Sequence, residues 1–135
     1  MELVAGVTLA LFVSVFTTMT GLGRERGFYP VVLIVIASYY VLFAAMAGTA
    51  YILNLETLAM VLFIGASLAG YKGSLWLVVT ALLGHGVFDL VHAHLIANPG
   101  VPKWWPRFCL GYDFVAAGCL GWLLRHRAGA QFATA

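Results

Sequence analysis

Five apolar segments, each close to the length needed to cross a bilayer, occupy most of this chain. They cover residues 3–19, 30–47, 52–69, 75–97 and 108–124, and a helix needs about 20 apolar residues to span the hydrocarbon core. Hydrophobic residues make up 63% of the chain and charged residues only 9%, too few to cover a soluble domain. The sequence therefore predicts an all-α integral membrane bundle of about five transmembrane helices, forming a single domain over residues 1–135. The least certain boundary is "GTAYILN", between the second and third segments.

The basic residues predict the orientation of these helices. In a five-span chain one side receives Arg24, Arg26, Lys72, Arg125 and Arg127, and the other receives Lys103 and Arg107. The positive-inside rule then puts the N-terminus outside and the C-terminus in the cytoplasm. We expect a multi-pass protein of the bacterial inner membrane, whose first segment is a retained helix because it lacks a basic leader and an Ala-x-Ala cleavage site.

The "PGVPKWWPRF" stretch then becomes an outer loop. Its Trp104 and Trp105 are expected to anchor at the headgroups, and a lid over a site beneath them is the alternative. The net charge of +2 is too small to argue for a nucleic-acid partner, and no basic patch interleaved with aromatic residues occurs, so we expect none. Cys109 and Cys119 lie about 15 Å apart on one predicted helix, too far to bridge, so buried reduced thiols are expected.

The fourth segment contains the unusual stretch "GHGVFDLVHAH", which places ionisable groups where lipid is expected. Such groups cost roughly 2.5–3.5 kcal/mol each on insertion scales and usually mark function. His85, Asp89 and His92 are spaced i, i+4, i+7, so they share one stripe of a helix. His94 points to roughly the opposite side. The pattern predicts that three of the four side chains enter the bundle.

The expected depths of the polar residues bring further helices to the same place. Glu56 lies about one turn into the third segment, and Asp113 lies between one and two turns into the fifth. Both should reach the level of His92, with Asp89 just beneath. We therefore predict one polar cluster in the outer half of the bundle. Tyr39 and Tyr40 of the second segment are expected to be packing residues, although one hydroxyl could face the cluster.

Two chemistries fit such a cluster. His85, Asp89 and His92 are candidate ligands for a divalent metal such as zinc, manganese or iron. Asp89, Asp113 and Glu56 are candidate catalytic groups, as general base, further ligand or acid–base partner. The same residues without a metal would form a proton relay or an acid–base pair.

The favoured hypothesis is a membrane-embedded enzyme, metal-assisted or acid–base, on a lipophilic substrate. The alternatives are a small transporter or proton- or cation-handling subunit, and a structural assembly partner whose polar residues join helices. The structural interpretation applies most directly to Asp89 paired with a histidine and to Asp113 beside Tyr112. The oligomeric state is left open.

Small residues indicate helix packing rather than chemistry. Four-residue spacings occur in "GASLAG" at 65–70 and in "AAGCLG" at 116–121. Gly84 and Gly86 flank His85, where a neighbouring helix or a ligand could approach closely.

The segments "HGVFDLVH" and "PKWWPRFCLGYD" resemble a family of small, functionally uncharacterised bacterial membrane proteins. The shared pattern is His-Gly-x-x-Asp-x-x-His on one span, then a Trp-Pro-rich loop leading into Cys and Asp. The matching residues are His85, Gly86, Asp89, His92, Trp105, Pro106, Cys109 and Asp113. The resemblance covers about the C-terminal third and implies no activity, since the family has none assigned. It implies that His85, Asp89, His92 and Asp113 belong together.

Overall fold

The computed structural model describes the backbone of residues 1–133 and the side chains of residues 1–126. Within that range the fold is all-α, and its five helices are all long and apolar enough to cross a membrane, as predicted. They are α1 (Glu2–Thr20), α2 (Phe28–Ala47), α3 (Ala50–Lys72), α4 (Leu75–Leu95) and α5 (Trp105–Ala133). The side chain of Arg127, used in the orientation prediction, lies outside the described residues.

Local signals end and begin the helices. α1 stops at Gly21, whose left-handed backbone (φ 84°) suits glycine and lets its N–H bond the carbonyl of Thr18. The uncertain boundary between α2 and α3 is a break of two residues, Gly48 and Thr49, and the Thr49 side chain accepts a hydrogen bond from Ile52 N–H. Ser74 caps α4 in the same way. The α2–α3 and α3–α4 connections are therefore too short to hold anything but caps.

Helix α4 is the centre of the bundle. It packs against α5, α3 and α2, while α1 lies along α5. Half of the hydrophobic window of α4 is buried inside the protein, against 11% for α3. Leu33, Val78, Leu82, Ala117 and Leu120 are among the buried side chains of the apolar core. The polar stripe of α4 is thus in the most enclosed position that the fold offers.

We name each end of the bundle by the residue numbers of a helix–helix connection that lies there. The 96–104 end carries Met1, the α2–α3 break and the connection from α4 to α5. The 21–27 end carries the connections from α1 to α2 and from α3 to α4. At the 21–27 end, Arg26 donates from Nε to the carbonyl of Tyr71 and from Nη2 to that of Gly73, both at 2.6 Å. These bonds satisfy carbonyls at the end of α3 and join it to the start of α2.

Glycine allows α1 and α5 to approach closely. A Cβ on Gly111 would lie 2.6 Å from the carbonyl oxygen of Leu3, and a Cβ on Gly6 would overlap the backbone of Phe108. Of the small residues noted in the sequence, Gly70 meets Val78 of α4, whereas a Cβ on Gly65 would meet nothing within 4 Å. Only some of the small-residue positions are therefore helix contacts.

We predict that Gly111→Val lowers the unfolding temperature of the detergent-purified protein, because the added carbons force α1 away from α5. Overpacking of this kind costs about 1–3 kcal/mol. Gly65→Val is the matched control, since it makes the same change in a helix at a position with open space. Equal unfolding temperatures for the two variants would show that the close α1–α5 contact does not stabilise the bundle.

Candidate functional site

The polar stripe of α4 faces the interior of the bundle. The exposed fractions are 0% for His85, 2% for Asp89 and 2% for His92. His94 is exposed. The predicted directions of all four side chains are confirmed, as expected for residues at i, i+4 and i+7 of a regular helix.

His85 joins two carboxylates from different helices. Its Nδ1 lies 2.7 Å from Asp113 Oδ2 and 3.6 Å from Asp89 Oδ2. The Tyr40 hydroxyl of α2 donates a hydrogen bond to Asp89 Oδ1 at 2.5 Å. We refer to His85, Asp89 and Asp113 as the deep group. Each offers a possible ligand atom, and these atoms all lie within 4.8 Å of one another.

A glycine lets α5 bring Asp113 to His85. A Cβ on Gly86 would lie 2.9 Å from the Phe114 ring and 3.5 Å from Asp113 Cβ. A larger residue at position 86 would therefore have to displace the Phe114 ring, next to Asp113. Gly84, the other glycine beside His85, meets no atom within 4 Å. Of the two glycines singled out in the sequence, only Gly86 permits a close helix approach.

A second polar group lies nearer the 96–104 end. His92 Nε2 is 2.8 Å from Glu56 Oε1 of α3, and we call these two residues the loop-side pair. The Asn98 amide donates to the same Glu56 oxygen at 2.8 Å and to the carbonyl of Tyr40 at 3.2 Å. Asn98 Oδ1 in turn accepts from Gly100 N–H. The pair therefore fixes the connection after α4 to the bundle.

Aromatic rings separate and pack the two groups. The Tyr40 ring stacks on the His92 imidazole with centroids 4.1 Å apart, while its hydroxyl reaches Asp89. Phe63 packs edge-on against His85 at 4.8 Å. Phe88 packs against His92 at 5.3 Å. Tyr40 is thus the residue shared by the deep group and the loop-side pair.

Several buried polar atoms of the site have no hydrogen-bond partner among the described residues: Glu56 Oε2, His85 Nε2, Asp89 Oδ2 and Asp113 Oδ1. Buried polar atoms in native proteins nearly always have partners. Three of these four atoms belong to the deep group. Because Asp89 and Asp113 each keep one unpartnered carboxylate oxygen, the deep group has donor atoms left to hold a cation.

The depth expected for Asp113 was wrong. We placed it level with Glu56 and His92, but it lies beside His85, two turns further along α4 from the 96–104 end. One reason is that α4 ends at Leu95 rather than at Ala97, which places His92 nearer the 96–104 end. Another is that α5 begins at Trp105 rather than near residue 108. Asp113 is therefore about 12 Å along the helix axis instead of about 8 Å. The single predicted cluster is in fact two groups.

The ligand-capable group also differs in membership from the predicted metal set. It contains Asp113, whereas His92, which we had expected beside His85 and Asp89, pairs with Glu56. The catalytic and metal-binding roles assigned to these residues stay predictions. Asn98 was missed, because an Asn before a Pro is typical of any turn. Tyr40 has the site-facing hydroxyl that was considered for one of the two tyrosines.

Two tryptophans of the α4–α5 connection have different environments. Trp104 is about half exposed. Trp105 packs against Tyr39 and Phe43 of α2. The anchoring interpretation therefore suits Trp104, while Trp105 holds the start of α5 against α2.

A pocket of about 510 Å³ adjoins the loop-side pair at the 96–104 end. Its lining includes His92, Asn98, Lys103 and Pro106. His92 is the member of the loop-side pair that borders this pocket, so water in the pocket would lie beside the pair.

No protein-family model, curated protein sequence or solved structure matches this chain. The resemblance noted from the motif residues therefore stays a prediction.

We predict that Glu56→Ala markedly destabilises the folded protein, because it leaves His92 and Asn98 without their shared acceptor. An unsatisfied buried polar group costs about 1–3 kcal/mol. Thermal unfolding in detergent is the measurement, and Glu25→Ala, at an exposed connection residue, is the control. If both variants unfold at the wild-type temperature, Asn98 and His92 do not depend on Glu56.

Proposed function

We propose that this protein is a membrane-embedded, metal-dependent hydrolase that acts on a lipophilic substrate. The deep group would hold the metal. The observation that carries the proposal is the meeting of three buried ligand residues from α4 and α5, with unpartnered atoms on each of them.

Charge balance supports a divalent cation at the deep group. Asp89 and Asp113 are buried together, and burying a charge in an apolar interior is costly unless it is paired or bound to metal. Two carboxylates neutralise one divalent cation, while the neutral imidazole of His85 completes the ligand set. In the loop-side pair, a single carboxylate faces a single imidazole. The two groups then carry no large net charge.

The donor set favours zinc or manganese. One imidazole and two carboxylates suit these ions. Three protein ligands leave a position for water, which is the usual arrangement of a catalytic rather than a structural zinc site. The Tyr40 hydroxyl, bonded to Asp89 Oδ1, would orient the carboxylate from outside the ligand set, as such partners commonly do.

Hydrolysis follows from a bound water in that position. A divalent metal lowers the pKa of its water and polarises a carbonyl oxygen. Water activated in this way would add to the carbonyl carbon, and the bond to the leaving oxygen or nitrogen would break. The proton lost by the water would pass to the leaving group. The products are a carboxylic acid and an alcohol or amine.

We also propose the orientation predicted from the basic residues. The 96–104 end would face the periplasm of a bacterial inner membrane, and the 21–27 end would face the cytoplasm. Arg26 and Lys72 lie at the second end and Lys103 at the first. The positive-inside rule supports this assignment.

Proton or cation transport is the second candidate. The observation that favours it is that Tyr40 links the deep group to the loop-side pair. These groups are two turns apart, about 10 Å along α4. Metal-independent proton or cation flux through the purified protein in vesicles would favour this function over hydrolysis.

We predict that the purified protein binds one zinc or manganese ion per chain and that Asp89→Asn and Asp113→Asn lose it. Asparagine keeps the shape and hydrogen bonding of aspartate but removes the negative charge that holds the cation. Metal content after loading and desalting is the measurement. His94→Ala, an exposed histidine on the same helix, should retain the wild-type metal content.

The same measurement on His92→Ala separates two ligand sets. Retained metal supports the deep group, whereas lost metal with intact folding supports the set predicted from sequence. A wild-type protein without metal under every loading condition contradicts the proposed function. Wild-type metal content in Asp89→Asn would show that Asp89 only joins helices.

We predict that Tyr40→Phe weakens metal affinity about 10- to 100-fold, as is typical for loss of a partner that orients a ligand. The ring, and with it the contact to His92, is kept. A competition titration with a chelating dye measures the affinity. Tyr39→Phe is the control because the neighbouring hydroxyl has no bond to Asp89. Equal metal affinities for the two variants would show that the Tyr40 hydroxyl does not orient Asp89 for metal binding.

A further inference from the structure

A groove runs along one side of the bundle between α1, α2 and α5. It exists because α1 packs along α5 rather than against α2. Two adjoining cavities of about 280 and 510 Å³ form it, and Ile36 and Tyr112 line both. The groove therefore continues from the start of α5 towards the 21–27 end.

The α2 wall of the groove is apolar, as expected for a site that binds a hydrocarbon chain. Along α2 the lining runs from Phe28 to Tyr39, a length of about 17 Å. Glu25 lines the groove at the 21–27 end, and the residues that line it between Phe28 and Tyr39 are all apolar: Val31, Val32, Val35 and Ile36. This stretch lies within a membrane-spanning helix, so an extended hydrocarbon chain fits it in length and chemistry.

The groove also passes beside the proposed metal centre. Cys109, which is 2% exposed, is part of its wall. Asp113 follows Cys109 by four residues, so the two side chains are neighbours on one face of α5. Asp113 itself is fully buried and does not line the groove. Cys109 is therefore part of the wall between the groove and the deep group.

A polar atom marks the head end of the groove. The indole N–H of Trp105 is buried and has no acceptor among the described residues, and Trp105 lines the groove above Cys109. An unmade buried hydrogen bond is costly, so an acceptor from a ligand would be favourable there. The carbonyl oxygen of an acyl ester or amide is such an acceptor, and it lies directly at the end of a hydrocarbon chain.

We propose that the groove binds the acyl chain of a membrane lipid from the surrounding bilayer, and that the oxygen of the ester or amide attached to that chain accepts a hydrogen bond from the Trp105 indole. This proposal goes beyond the proposed function, because binding of the chain does not depend on the reaction and can be tested alone.

The test uses the whole protein reconstituted in phosphatidylcholine vesicles with a trace of phosphatidylcholine carrying a photoactivatable diazirine in its acyl chain. After irradiation, labelled peptides are mapped by mass spectrometry. We expect several-fold more label at Ile36 and Tyr112 than at Leu62. Leu62 is a lipid-facing residue, 66% exposed, on α3, which does not border the groove. Label spread evenly over these positions would overturn the proposal.

Substitution gives an independent test. Ile36→Trp and Leu9→Trp fill the groove from α2 and from α1, and either should reduce the groove label several-fold. Leu62→Trp makes a similar change outside the groove and should leave the labelling pattern as in the wild type. Undiminished groove label in a folded Ile36→Trp or Leu9→Trp variant would contradict chain binding, and if one variant fails to fold the other decides.

Metal content of the same wild-type preparation separates the two proposals. Label concentrated in the groove without bound metal overturns the hydrolase and supports the lipid site. Bound metal with evenly spread label overturns the lipid site and supports the metal centre.

Discussion

The burial of three carboxylates inside a membrane bundle is the constraint on which the rest of this structure depends. Glu56, Asp89 and Asp113 have essentially no exposed surface, and each carboxylate without a counter-charge would destabilise the folded state by several kcal/mol. In each group a histidine of α4 contacts the carboxylates. The Tyr40 hydroxyl donates a further hydrogen bond to Asp89, and the Asn98 amide donates one to Glu56. Helices α2, α3 and α5 are placed so that these partners meet.

This constraint explains why α4 is central. A helix with His85, Asp89 and His92 on one stripe cannot present that stripe to lipid, so α2, α3 and α5 pack around it. Helix α1 has no ionisable residue beyond Glu2 and is free to lie against α5 alone. That arrangement leaves the groove beside α2. The polar centre and the proposed lipid site are therefore two consequences of the same packing.

Much of the fold followed from sequence because the relevant physics is local. Apolar length predicted five membrane-length helices, and the 100° step between helical residues predicted that His94 would leave the stripe of His85, Asp89 and His92. The error at Asp113 was also local in origin. An α5 start misplaced by three residues moved the expected depth by about one turn and merged two groups into one.

The sequence by itself determined that this chain has five helices long and apolar enough to cross a membrane, where those helices lie, and which polar side chains of α4 are turned inward. Only the tertiary structure decided which carboxylate meets which histidine, because that depends on the relative shift of separate helices. For Asp113 this shift brings α5 beside Gly86 and His85 of α4, and for the loop-side pair it brings Glu56 of α3 to His92 and Asn98. The periodicity within a single helix cannot predict which carboxylate meets which histidine, because that pairing arises only when the helices pack.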